Sequence, residues 1–376
     1  VTGNLDGFDT ADKLHWLTQS VITEKGPVHV DSENMRGVLS LDKETILKIV
    51  RKFVNKVGKH KFVAVVLDTP RVNRSVLKAY EEEEPEIAGL YCILHIISLF
   101  FKDVFEKIPA LKDLWRVLNE TSVRFRRNRF LRDELHAAQD TPEMKRRKEY
   151  ENGPVGYIGH ARTRCASKYR VAERAQRVNV AARVVVASPR YAEKYEKTNV
   201  PDRSDSEDEE EMEAEVAPDD TGKKRSLSEV LYEVKTNFIQ NDVAQELLDQ
   251  VVTVLRDAYK MMKMVDSDNL CAGKVWRTAW KVWKTLQAQE LKYPKFAAVS
   301  ELWYARWREL HHPIYSLAYL LNPEYWRCKP WDDMEVSQDV ETMLKRYFPD
   351  QDERSMIKIA ISHYKGRTGA FRHHDS

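Results

Sequence analysis

The sequence predicts an α+β fold, with one mixed β-sheet and its helices at the front of the chain and a large all-α body after it. Three observations carry this expectation. Residues 62–67 (FVAVVL) are continuously apolar and rich in β-branched side chains, as in a strand covered on both faces. Ile46, Ile49, Val50, Phe53, Val54 and Val57 recur at helical spacing and share one face. From Pro109 onward the strand signals fade, and helical spacing takes over in Leu247, Leu248, Val251, Val252, Leu255, Ala258, Tyr259 and Met262.

Taken in order, residues 5–8 are a short apolar stretch around Asp6, read as the first strand. Residues 14–23 give the second strand. Glu24, Lys25 and Gly26 then turn the chain into a third over 27–30, completing a hairpin. Asp42 caps the helix that follows and Gly58 ends it. The buried strand stops at Asp68, ahead of Thr69 and Pro70. Residues 87–90 form a further strand that runs into a helix through Cys92 and His95. Residues 111–138 and 227–286 read as helices of the all-α body. Between them, residues 203–225 are acidic and poor in aromatics; such a composition cannot bury enough surface to fold, so a disordered acidic loop is expected.

The formal net charge of +2 hides a split. Between Asp202 and Asp220 stand eleven acids and one base, a local charge of −10, which leaves +12 on the rest of the chain. Bases gather at 124–132 (RFRRNRFLR), at 145–148 (KRRK) and at Arg162 and Arg164. Clustered bases neutralise phosphates, so a polyanion is the expected partner, with a solvated helix face as the other reading. The candidate nucleic-acid contacts are Arg124, Arg126, Arg127, Arg129, Arg162 and Arg164. Ser204 and Ser206 each have a Glu three residues on and are candidate acceptors for an acidophilic kinase. The short basic run 223–225 is either a nuclear-import signal or a solubilising flank.

Other classes are disfavoured. No run reaches the about 18 apolar residues of a spanning helix, and no secretory leader is visible at the start. Four cysteines lie 57 or more residues apart with no Cys-x-x-Cys pair, which argues against a disulfide framework or a zinc ribbon and for buried free thiols. Seven of the nine tryptophans fall between Trp276 and Trp331. Trp276, Trp280 and Trp283 share a helix face, read as packing against another helix in preference to a base-stacking platform.

An acid on the first strand, Asp6, and an acid ending the buried strand, Asp68, occupy the two positions where an RNase H-like sheet brings carboxylates together. Neighbouring strands lie about 4.8 Å apart, close enough for two such carboxylates to share metal ions. Several blocks then resemble, in order, the hAT-superfamily DNA transposases of the Activator and Hermes group. Residues 5–8 (LDGF) resemble their opening Asp-Gly-Trp block, and 65–73 (VVLDTPRVN) the block of their second acid. Residues 90–95 (LYCILH) match their Cys-x-x-His motif, with Leu99 and Asp103 in the helix after it. Residues 162–167 (RTRCAS) and 311–323 (HHPIYSLAYLLNP) resemble two blocks of the inserted helical domain.

The resemblance implies an RNase H-like sheet with a large all-α insertion, and a catalytic Asp-Asp-Glu triad holding two magnesium ions. Asp6 and Asp68 would be its first two members and the Mg2+ ligands, with Phe8, Cys92 and His95 beside them and Arg164 facing DNA. A zinc ion on Cys92 and His95 is the other reading of that motif, short of two ligands.

Departures from the family's pattern matter as much. Cys165 stands where the family has a Trp that stacks on a flipped base, and a thiol has no π-face. Thr69 and Pro70 replace Asn-Ala after the second acid. The third acid, carried in a Ser-Glu-Arg run, is expected beyond Ser376; Glu353, in residues 352–355, reads as a decoy. The upstream zinc finger and the C-terminal dimerisation region are likewise expected outside this chain.

The expected organisation is therefore an incomplete core over 1–108, a basic first part of the helical insertion over 109–200, the acidic loop over 201–226 and the rest of the insertion over 227–376. The expected function is that of a transposase-derived nuclear protein without cleavage activity that retains affinity for DNA and self-associates through the region it lacks. The alternatives are a domesticated protein-interaction module, a complete cut-and-paste transposase clipped at its ends, and an unrelated RNase H-type nuclease.

Overall fold

The computed structural model describes residues 1–9, 15–23, 25–36, 41–161, 166–196, 226–267 and 272–372, with no account of the side chains of Phe8, Asp9 and His15. The expected disordered loop, Ser204, Ser206 and the basic run 223–225 lie outside the described residues, as do Arg162, Arg164, Cys165 and Cys271.

The fold is α+β, as the sequence predicts, with one five-stranded mixed sheet and many helices. The strands are β1 (Thr2–Asp9), β2 (His15–Thr23), β3 (Gly26–Asn34), β4 (Ala64–Leu67) and β5 (Ala88–Tyr91). Their order across the sheet is β3-β2-β1-β4-β5. The first three form an antiparallel meander, whereas β4 runs parallel to β1 and β5 parallel to β4. The third strand runs well beyond the expected 27–30. As an edge strand it tolerates Pro27, which has no N–H to give to a ladder.

The two parallel crossovers each carry a helix, as parallel strands require. The first, α1 (Lys43–Val57), is capped as expected: Asp42 accepts from the Thr45 N–H at 2.9 Å. Gly58 stops it with φ +107°, a conformation glycine adopts without strain, and its N–H reaches Val54 O at 2.9 Å. The second, α2 (Arg71–Glu83), starts directly after Pro70. Its Val76, Leu77 and Tyr80 join Ile46, Val50 and Phe53 of α1 in one apolar core with Leu5, Val65 and Leu67 of the sheet. Phe53 is fully buried and meets Phe62 edge-on at 5.4 Å between ring centres. Gly3 lies against this pair so closely that a Cβ there would stand 2.6 Å from Phe62 and 2.7 Å from Phe53.

Compact packing divides the chain into two units. The first comprises residues 1–99, 260–284 and 303–376, so the C-terminal helices group with the sheet. The sequence-based division places residues 227–376 in the insertion, because nothing local in a helix says which body it packs on. The second unit comprises 100–259 and 285–302 and is helical.

In the second unit, the expected single helix over 111–138 is two, α4 (Pro109–Arg127) and α5 (Arg129–Gln139). Asn128 breaks them: its side chain caps α5 by accepting from the Leu131 N–H and donates to the Tyr195 hydroxyl at 2.8 Å. Next come α6 (Pro142–Lys145), α7 (Ser167–Val186) and α8 (Pro189–Tyr195). Ala172, Ala175, Val178 and Ala182 of α7 are buried with Leu111, Leu118 and Phe125 of α4. The expected run over 227–286 is interrupted too, into α9 (Leu227–Val234), a π-helical turn (Lys235–Ile239), α10 (Asp242–Val265) and α11 (Ala272–Lys292). The chain continues through α12 (Val299–Leu310), α13 (Pro313–Leu321), α14 (Met334–Tyr347) and α15 (Gln351–Lys365). Among the described residues no helix is long and apolar enough to cross a membrane.

Candidate functional site

Strand register decides where the two aspartates go. Asn4 of β1 lies opposite Val66 of β4, so the same parallel register carried on by two residues sets Asp6 level with Asp68. Side chains alternate faces along a strand. Leu5 and Leu67 point into the core beneath α1 and α2, so Asp6 and Asp68 project from the opposite face. Two carboxylates on adjacent strands therefore stand near one another at one end of the sheet.

The electrostatics agree with this placement. Desolvation raises the Asp6 carboxyl above its ordinary value, and the Asp68 charge raises it further, against the Gly7 N–H and His95, which pull it down. Asp6 nonetheless keeps an exposed surface, leaving the place open to a ligand. Asp68 is half-buried and held in position by Asn73, whose amide donates to its Oδ1. Asn73 lies in the first turn of α2, and Arg74 beside it donates to Thr69 O at 3.2 Å, fixing the intervening bend. Pro70 costs the loop no hydrogen bond: it sits at the cap of α2 and its carbonyl accepts from Arg74 N.

His95 enters from the third side. Cys92 continues the β5 ladder by donating its N–H to Leu67 O at 2.7 Å, next to Asp68. It then opens α3 (Ile93–Lys107), whose Ile96 N–H returns to Cys92 O at 3.2 Å. His95 thus rides on the first turn of a helix anchored to the same strand end, where its charge acts on Asp6. Cys92 is half-buried, and among the described residues no set of three His, Cys, Asp or Glu that could hold a metal is found. Phe8 is placed on β1 opposite Trp16, two residues past Asp6.

Two neighbouring like charges suit a divalent cation, which would relieve their repulsion. Magnesium is commonly held by one or two carboxylates, with water and substrate phosphates filling the remaining positions. Asp6 and Asp68 match that ligand chemistry for a single ion. A pair of ions clamping the attacking and leaving oxygens calls for more carboxylate than these two supply. Glu353 is exposed in the first turn of α15, where its N–H is capped by Asp350.

The basic cluster is only partly a surface. Arg124 is 2% exposed and paired with Glu120 one turn earlier, its Nε donating at 2.6 Å, so it is removed from the candidate phosphate contacts. The sequence carried the signal for this, because position 124 falls on the same face of α4 as the buried Leu114, Val117 and Thr121. Arg126, Arg127 and Arg129 are exposed, together with Arg132. Arg126 packs over Gly159, where any Cβ would collide with its guanidinium.

Glu81 is the polar centre that sequence reasoning missed. It lies on α2, accepts from Gly89 N at 2.8 Å and meets His312 Nε2 at 3.2 Å and Arg346 Nη1 at 2.9 Å. Burial alone would raise its carboxyl, but the bonds from His312, Gly89 and Arg346 outweigh it and hold the group down at about 2. Arg346 also donates to Ile87 O at 3.0 Å and to Pro85 O. His312 caps α13 as well, its Nδ1 accepting from Ile314 N at 3.1 Å. The block 311–323 therefore ties the C-terminal helices to the sheet.

Compared with known proteins, the chain matches no family model and no curated sequence.

Proposed function

We propose that the chain is an RNase H-like, nucleic-acid-binding body of the hAT-transposase type, in which paired aspartates hold a single divalent cation without cutting DNA. The carrying observation is the parallel register of β1 on β4, which sets Asp6 level with Asp68 at one end of a sheet ordered β3-β2-β1-β4-β5, with the Asp68 charge acting on Asp6. Support for the RNase H-like reading comes from that order, with its antiparallel meander followed by two parallel crossovers through α1 and α2. Support for the polyanion partner comes from the charge of +12 outside the acidic segment and from the exposed Arg126, Arg127 and Arg129.

Within this reading each group has a task. Asp6 and Asp68 would be the protein's ligands to Mg2+, and Asn73 orients Asp68. A bound ion would neutralise phosphate charge at the strand ends, and His95 offers an imidazole N–H there. Two protein carboxylates leave the ion loosely placed, and in-line displacement needs reacting atoms fixed to within fractions of an ångström. A nuclear location belongs to the same proposal.

Retention on duplex DNA over a salt series tests it. Each phosphate neutralised lowers log K by about 0.9 per tenfold rise in salt, so three or more contacts give a steep loss. The Arg126→Ala/Arg127→Ala/Arg129→Ala variant is expected to flatten the slope. Retention that ignores salt would favour the interaction-module reading. Robust Mg2+-dependent nicking abolished by Asp68→Ala would overturn the statement that the body does not cut.

A further inference from the structure

The expected aromatic stripe is only partly packed away. Trp276 and Trp303 are both 3% exposed, and Trp303 is pinned through its indole N–H to Ala279 O at 3.1 Å. Trp280 and Tyr304 are exposed, while Trp283 and Trp307 are half-buried. These six rings line one pocket of about 330 Å³ of unfilled space, part of it open to solvent, and all belong to the sheet-containing unit. Trp283 and Tyr304 stand 5.7 Å apart between ring centres. The one charged side chain in the wall is Glu335, on the first turn of α14. It stays half-exposed, and its approach to His311 is long, 3.7 Å, because the short bond of that imidazole goes to Asp339 at 2.9 Å.

We propose that this pocket binds a methylated ammonium group, such as a trimethylated lysine side chain or a choline-like head group. Ring faces carry partial negative charge and attract a cation within about 6 Å of their centres. A methylated ammonium suits such a wall because it has little hydration to lose and no N–H that needs an acceptor. The rings already draw the chain's own cations: Arg277 lies over Trp280 at 5.2 Å, and Lys284 over Trp283 at 4.8 Å. Neither of these side chains lines the pocket. A carboxylate at the wall supplies charge complementarity for a cation and opposes a phosphate-bearing ligand, so the pocket is not a nucleotide-stacking platform. The inference stands independently of the function proposed above.

The test uses the full chain labelled with 5-fluorotryptophan and followed by 19F NMR. Choline is expected to shift the Trp280, Trp283 and Trp307 resonances. Its neutral isostere 3,3-dimethylbutanol should bind about tenfold more weakly, the factor a desolvated cation–π contact supplies. Glu335→Gln, at a half-exposed position, should weaken choline several-fold and leave the isostere unaffected. Preference for a trimethyllysine peptide over its unmethylated form would place the ligand on a protein tail. Binding of choline without the peptide would place it on a free small molecule. Equal binding of choline and isostere, no shift with choline, or shifts with a nucleoside monophosphate alone would each overturn the proposal.

Discussion

Phe53→Ala is expected to destabilise the sheet-containing unit by about 3–5 kcal/mol, the usual cost of removing a buried aromatic ring. The upper part of that range applies because the site cannot collapse readily. Phe53 is fully buried, its edge contact with Phe62 is at 5.4 Å, and the backbone of Gly3 closes the third side. Removing the ring would leave a cavity between a strand and a helix, both fixed by their own hydrogen bonds. Phe53→Leu keeps much of the volume and should cost under half as much. Urea unfolding followed by circular dichroism would measure both, the midpoint falling with the slope unchanged. Equal losses for the two variants would mean that volume does not control this core.

Arg346→Ala is expected to cost about 3 kcal/mol, near the lower end for breaking a buried ion pair, since the Arg346 side chain is 19% exposed and Glu81 26%. The guanidinium serves three acceptors at once, Glu81, Pro85 O and Ile87 O, and its loss leaves all of them short of a donor. The Arg51–Glu83 pair between α1 and α2 shows what geometry alone is worth. It is close and two-pronged, but its side chains are 44% and 39% exposed, so Arg51→Ala should change stability little. Acid gives a second readout. The folded-state value of Glu81, about 2, lies below its ordinary 4.5, so its contribution is complete above 4.5 and fades as pH falls toward 2. The full shift corresponds to about 3 kcal/mol. In Arg346→Ala the acid-induced loss should shrink and be complete at a higher pH, nearer the ordinary carboxylate range. An unchanged pH profile would mean that Arg346 does not set the state of Glu81.

How much of this was legible in the sequence depended on whether the deciding contact was local. The apolar face of α1, its Asp42 cap and its Gly58 stop all act within one helix, and all three could be read from spacing. The expected adjacency of Asp6 and Asp68 rests on strand order, and β1 pairs parallel with β4 from Thr2 to Asn4, two residues short of Asp6. By contrast, Glu81 stands in a run of four glutamates that looks like a solvated face. Its partners His312 and Arg346 are 231 and 265 residues away, so no local pattern announces them. Asn128 and the π-helical turn after α9 broke helices whose apolar periodicity continued past them, because a cap or an irregular turn outweighs propensity without altering the pattern. Arg124 differs for another reason: by composition the arginine run reads as a surface, while its helical phase places position 124 inside.

Asp6 and Asp68 share one electrostatic environment, and the decisive experiment is a carboxyl 13C NMR titration of Asp6. The expected result is a midpoint above the ordinary aspartate range in the native protein. It should move down in Asp68→Asn, where a like charge is removed, and up in His95→Gln, where an opposing pull is lost. A midpoint that Asp68→Asn leaves in place would contradict the shared site, and with it the metal-binding reading of this sheet.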